Sequence, residues 1–171
     1  MSIARREALA AGLACAAAGC ARALGSSVPR PPENRTMIIQ SRPLLTLRLT
    51  TSATQDLGNT PLGRRLIFPI TGGEFDGEGL RGKVLAGGVD WALRRPDGAL
   101  ELDLRATLET DDGALIQLTF TGLRDDAQRY FRTLPRFETA APQYLFLNRL
   151  LAVGTGLIQP EGPVHVIDAI G

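Results

Sequence analysis

The chain has 171 residues, 44% hydrophobic and 22% charged, with a formal net charge of +1. That is globular composition with enough chain for one core-forming domain, and a charge so balanced gives no reason to expect nucleic acid or an anionic membrane surface as partner. Both cysteines, Cys15 and Cys20, lie near the N-terminus and His165 is the single histidine, which excludes a multi-ligand zinc site, a Cys-His dyad in the domain and a Ser-His-Asp triad on any other histidine; no metal and no cofactor is expected.

Residues 1–20 read as an export signal. Arg5-Arg6 opens it, with Leu9 three residues beyond, in the manner of a twin-arginine signal. The apolar run from Ala8 to Ala18 is broken by Gly12 and is too short to stay in a bilayer as a spanning helix. It ends in Ala17-Ala18-Gly19-Cys20. Small residues ahead of a cysteine suit a lipoprotein signal peptidase, and the thiol of Cys20 would carry the lipid. The expectation is an exported protein of the periplasm or cell envelope, in contact with the membrane only through that lipid. Residues 21–43 hold Gly25, Ser26, Ser27, Pro29, Pro31, Pro32 and Pro43 and read as a flexible, proline-rich tether.

From residue 44 to 171 the dominant period is two. Leu45, Leu47 and Leu49 alternate with Thr46, Arg48 and Thr50. Leu100, Leu102, Leu104, Ala106 and Leu108 alternate with Glu101, Asp103, Arg105, Thr107 and Glu109. Both are amphipathic strands, the second unusually long. Pro96-Asp97-Gly98 and Asp111-Asp112-Gly113 flank that strand and predict hairpins on either side. Residues 125–130 and 142–147 each suit a single helical turn. About eight to ten strands with little helix predict an all-β domain. The glycines clustered from Gly72 to Gly88 favour a small antiparallel β-barrel, calycin- or lipocalin-like in general shape, because strongly curved strands need glycine at corners and bulges.

Several polar groups are candidates for chemistry. Val89-Asp90-Trp91 sets the single Trp beside an acid at a strand start, the pairing of apolar body and carboxylate found in small-molecule sites. A core Trp beside a surface Asp is the plainer alternative. On the long strand, either the leucines pack inward and the charged face is solvated, or the leucines face out and Asp103, Arg105 and Glu109 line a cavity. Tyr130, Arg132, Leu134, Arg136 and Glu138 share one side of a strand, either an exposed rim or a cavity wall. Asn148-Arg149 offers an amide and a guanidinium. His165, within Val164-His165-Val166-Ile167, reads as a satisfied or exposed strand residue before it reads as a base.

The ordered motifs carry a resemblance. Gly63-Arg64-Arg65, Pro69-Ile70-Thr71-Gly72-Gly73-Glu74-Phe75-Asp76-Gly77 and Leu80-Arg81-Gly82-Lys83-Val84-Leu85 are followed by Gly87-Gly88-Val89-Asp90-Trp91 and Leu108-Glu109-Thr110-Asp111-Asp112-Gly113. Tyr130-Phe131-Arg132-Thr133, Pro135-Arg136-Phe137-Glu138-Thr139 and Leu147-Asn148-Arg149 complete the series. Together they resemble the DUF3237 (UPF0311) family, over residues 44–170. The resemblance implies a small antiparallel barrel and nominates Asp90, Trp91, Asp103, Arg105, Glu109, Arg132, Glu138 and Asn148 as cavity residues. Some fungal relatives look like cyclases of natural-product pathways, which close oxygen rings with acid-base assistance. Against the family pattern, the segment between Gly122-Leu123-Arg124 and Tyr130 is short, and Arg129 stands where a second aromatic is common. If the family's longer insertion caps a barrel mouth, this barrel is more open.

The expected function is therefore cofactor-free acid-base catalysis, of cyclisation or isomerisation type, on a small organic molecule. Asp90, Glu109 or Glu138 would move the proton, and Arg105 or Arg132 would stabilise a developing oxyanion. Trp91, Asp103, Arg105, Arg132 and Asn148 would bind the ligand. The alternative is a lipoprotein that binds a small ligand without chemistry.

Overall fold

The structure, a computed structural model, describes residues 39–171. The signal, Cys20 and the tether up to residue 38 lie outside the described residues. The elements in chain order are β1 (Ser41–Thr51), β2 (Gln55–Thr60), β3 (Gly63–Gly77), β4 (Leu80–Val84), β5 (Val89–Arg94), β6 (Leu100–Thr110), β7 (Leu115–Asp125), β8 (Tyr130–Glu138), a 3-10 helix (Pro142–Arg149), β9 (Leu151–Gln159) and β10 (Gly162–Ile170). β1 thus begins within the segment assigned to the tether, and Pro43 sits in its ladder opposite Asp168, beside a bulge. A residue without an N–H is tolerated at such a bulge.

The strands form a closed, eight-stranded antiparallel barrel, as the sequence predicts. Neighbours run β1-β10-β9-β8-β7-β6-β4-β3, and β3 pairs back onto β1 through Leu47↔Phe75 and Leu49↔Gly73. β3 is long enough to serve two neighbours on each side. Its first half pairs with β2 and β5, its second half with β1 and β4. It bends between the halves at Gly72-Gly73. Gly73 has φ +140°, and a Cβ there would stand 2.1 Å from the Arg48 carbonyl oxygen. No side chain fits, so the glycine is what lets β3 lie against β1.

The alternating residues resolve into an inside and an outside. Leu45, Leu47 and Leu49 of β1, Leu104 and Leu108 of β6, and Ile116 and Leu118 of β7 are buried together in the lumen. Burying a leucine contributes roughly 1.5–3 kcal/mol each. Five apolar residues on one face of β6 therefore outweigh any tendency of its charged face to turn inward.

The two ends of the barrel differ. At the end where β6 turns into β7, the 3-10 helix lies across the strands, with Leu147 only 1% exposed and Tyr144 packed on the core. Gln143 Nε2 donates to Asp112 Oδ2 at 2.9 Å and the Tyr144 hydroxyl to Asp112 Oδ1 at 3.2 Å, which ties the helix to the β6–β7 turn. At the opposite end the lumen is unfilled.

Candidate functional site

A cavity of about 230 Å³ occupies that unfilled end. Its wall is mainly apolar, from Leu49, Phe68, Ile70, Leu104 and Phe131. Three ionisable side chains interrupt it: Asp90, His165 and, at the mouth, Arg124.

Asp90 comes from β5, opposite Phe68 on β3 and Leu104 on β6. Those partners face the lumen, so the period of two turns Asp90 inward as well. The Asp103 N–H donates to Asp90 Oδ1 at 3.0 Å. Oδ2 has no hydrogen-bond partner among the described residues. Burial pushes the Asp90 carboxyl up to about 6; the Asp103 N–H opposes this and the Asp103 carboxylate adds to it. A carboxyl in that range exchanges a proton near neutral pH.

His165 projects from β10, level with Leu47 on β1 and Gly156 on β9. It is 1% exposed, neither the satisfied nor the exposed strand histidine expected. Its ring lies 4.9 Å from that of Phe120 and 5.1 Å, edge to face, from that of Phe131. Nδ1 has no hydrogen-bond partner among the described residues. Desolvation lowers its pKa to about 4, so the imidazole is neutral at physiological pH. Gly156 makes room for this arrangement: a Cβ there would meet the Phe131 ring at 2.4 Å.

The remaining predicted residues are not in the cavity. Asp103, Arg105 and Glu109 lie on the outer face of β6, because its leucines take the lumen. There Arg105 pairs with Asp103 at 3.7 Å and Lys83 with Glu109 at 3.0 Å, both between solvent-accessible side chains. Trp91 follows Asp90 on the same strand and so faces the other way, 46% exposed. β8 likewise sends Phe131, Thr133, Pro135 and Phe137 inward and Tyr130, Arg132, Arg136 and Glu138 to solvent. It is not a rim strand, since it pairs with β7 along its whole length. Its ladder to β9 holds only Arg132↔Thr155 and Thr133↔Gly154 and stops short of Pro135, which lacks an N–H to give.

Trp91, Asp103 and Arg132 do meet, with Tyr130 and Arg65, around an open groove on the outside of the wall. Arg132 lies over the Tyr130 ring, 5.4 Å from its centroid. Asn148 is structural: its Oδ1 accepts the Thr139 N–H and its Nδ2 donates to the Thr139 carbonyl, each at 2.8 Å. Of the nominated residues, Asp90 alone faces the cavity, and His165 and Arg124 join it. Both were marked by strand parity. Asp168 and Val166 lie outside the His165–Ile167–Ala169 row, and Arg124 continues the inward row of Leu118 and Phe120.

Fold and cavity together define an antiparallel β-barrel plugged at one end and hollow at the other. The chain belongs to the DUF3237 family, described as a protein of unknown function, which it matches over residues 39–170. It is 35% identical over 136 residues to a UPF0311 protein of Rhodopseudomonas palustris (strain TIE-1), an alignment spanning 70% of this chain and 89% of that one. Among solved structures, a β-barrel-like protein from Acinetobacter baumannii AYE superposes with a TM-score of 0.74 at 33% identity, over 84% of this chain and 99% of that one. An enzyme from Penicillium herquei shares the fold with a TM-score of 0.70 at 23% identity, over 81% of this chain and 98% of that one.

Proposed function

We propose that the barrel holds a small, mainly apolar organic molecule in its cavity and moves a proton on it through Asp90, without a cofactor. The observation that carries this is an inward carboxyl raised to about 6, with one oxygen engaged and the other facing the hollow. Ionised, Asp90 takes a proton from an acidic C–H or O–H; protonated, it returns one elsewhere on the same molecule, which is the balance an isomerisation or ring closure needs. The neutral His165 ring bounds the same space as a hydrogen-bonding group that carries no charge. Glu109 and Glu138 have no part in this, since both lie on the outer surface. The P. herquei enzyme supports the barrel as a fold able to host catalysis, and nothing finer.

A second reading, a carrier that binds without chemistry, is favoured by the apolar wall and by the lack of a hydrogen-bond partner for His165 Nδ1 among the described residues. Incubating the purified protein with extracts of its host and following small molecules by mass spectrometry separates the two. Turnover abolished by Asp90→Asn supports the catalytic reading, whereas tight recovery of an unchanged compound supports the carrier.

The site is also proposed to work outside the cytoplasm, in the cell envelope, on a lipid carried by Cys20. Support comes from the Ala17-Ala18-Gly19-Cys20 sequence behind a basic, apolar leader. Metabolic labelling with a radioactive fatty acid should mark the wild type and not Cys20→Ser; equal labelling of both removes the anchor.

A further inference from the structure

The cavity is electrically polarised along its length. Its inner part presents a carboxyl, Asp90, and an uncharged imidazole, His165. Its mouth presents Arg124, near the end of β7, opposite Leu100 on β6 and Phe131 on β8. Both neighbours face the lumen, so Arg124 does too. Its guanidinium carbon sits 5.9 Å from the centroid of the Phe131 ring, and its side chain is 26% exposed.

Arg124 is also gripped from outside. Its Nε donates to Asp126 Oδ1 at 2.7 Å and its Nη2 to Asp126 Oδ2 at 3.1 Å. That bidentate pair consumes the Nε/Nη2 edge and fixes the plane of the group. The second edge, Nη1 with the other hydrogen of Nη2, has no acceptor among the described residues. Two parallel N–H groups at that spacing match the two oxygens of a carboxylate. An anionic group placed deeper would instead meet Asp90 and a ring that carries no positive charge.

We propose that the cavity selects small aromatic or alicyclic carboxylates, bound with the apolar body inward and the carboxylate outward on the unoccupied edge of Arg124. This rests on the cavity being the small-molecule site. Arg124 is then the specificity-determining residue and Asp126 the residue that positions it. The reacting part of the molecule lies at the inner end, against Asp90, away from the charged handle.

The test uses the full chain with 2-naphthoate and its uncharged counterpart, 2-naphthamide. Affinity is measured by calorimetry, and the imidazole C–H resonances of His165 report occupancy of the interior without assignment, because the chain has one histidine. Wild type should bind both, shifting the His165 signals, with the carboxylate about tenfold tighter, as a charge-assisted pair predicts. Arg124→Gln should abolish the preference, bringing the affinity for naphthoate to about that for naphthamide in the same variant. Equal affinities in the wild type, a comparison that needs no variant, overturn the proposal while the cavity reading stands. So does a preference that survives Arg124→Gln. If neither compound binds or moves the His165 signals, the cavity reading fails and this proposal with it.

Discussion

The backbone N–H of Asp103 donates to the Asp90 carboxylate at 3.0 Å, at a point where the β5–β6 ladder is interrupted between Asp90↔Leu104 and Leu93↔Glu101. A side chain has taken the place of a backbone acceptor. The carboxyl is thereby held in the wall with one oxygen committed, rather than free to swing toward solvent. Its partner strand supplies the donor but sends its own carboxylate, Asp103, to the other side.

Asp90 and His165 should pull the pH dependence of stability in opposite directions. The Asp90 carboxyl is raised from 3.8 to about 6, so its contribution to stability is full below about 4 and is lost as pH rises through 6. His165 is lowered from 6.5 to about 4, so its contribution is full above 6.5 and is lost as pH falls through 4. Each spans roughly 3 kcal/mol, and they offset one another across the same window. Denaturant titrations between pH 4 and 6.5 should show Asp90→Asn gaining stability with pH relative to wild type, and His165→Gln losing it. Parallel curves for all three proteins would show that neither group is buried as described.

Gly156→Ala should be costly for the addition of one methyl, because Gly156 is buried in the wall. The new Cβ would stand 2.4 Å from the Phe131 ring, which itself packs on His165. Overpacking of this kind costs about 1–3 kcal/mol. A fall in the chemical denaturation midpoint, with displaced His165 resonances, is the expected result.

Asn148→Ala should destabilise the barrel without touching its cavity. Both hydrogen bonds to the Thr139 backbone are lost, at the plugged end. A penalty of about 1–3 kcal/mol in thermal or denaturant unfolding is expected. Affinity for 2-naphthamide, measured where the variant is folded, should stay at the wild-type value; a selective loss of binding would return Asn148 to the site.

Charge removal on the outside of β6 should be nearly silent. Arg105→Gln and Glu109→Gln each break an ion pair between accessible side chains, worth about 0–1 kcal/mol. Ligand affinity and turnover should both be retained. Loss of activity in either variant would mean that the outer wall, not the lumen, is the site.

Much of the wall could be read before the structure. Alternation in β1 and β6, the turns at Asp97-Gly98 and Asp112-Gly113, and the short helical turn after Pro142 all follow from local chemistry. Which face points inward does not follow from one strand alone, because it depends on closure through the distant β1–β3 pairing. Strand parity is decisive at several positions. Asp90 and Trp91 are consecutive on a strand and cannot share a cavity, and Asp103 cannot enter the lumen while Leu102 and Leu104 fill it. The same parity places His165 and Arg124 inward, but a polar residue in an apolar row looks like an interruption until the space behind it is found empty.

Among the described residues, the helix across one end leaves the cavity opening at the other. Under the proposed function, whatever enters past Arg124 leaves past Arg124, so a product departs before the next molecule arrives. The short β7–β8 turn that bears Asp126 stands at the threshold of that opening, where it would govern exchange of a bound molecule.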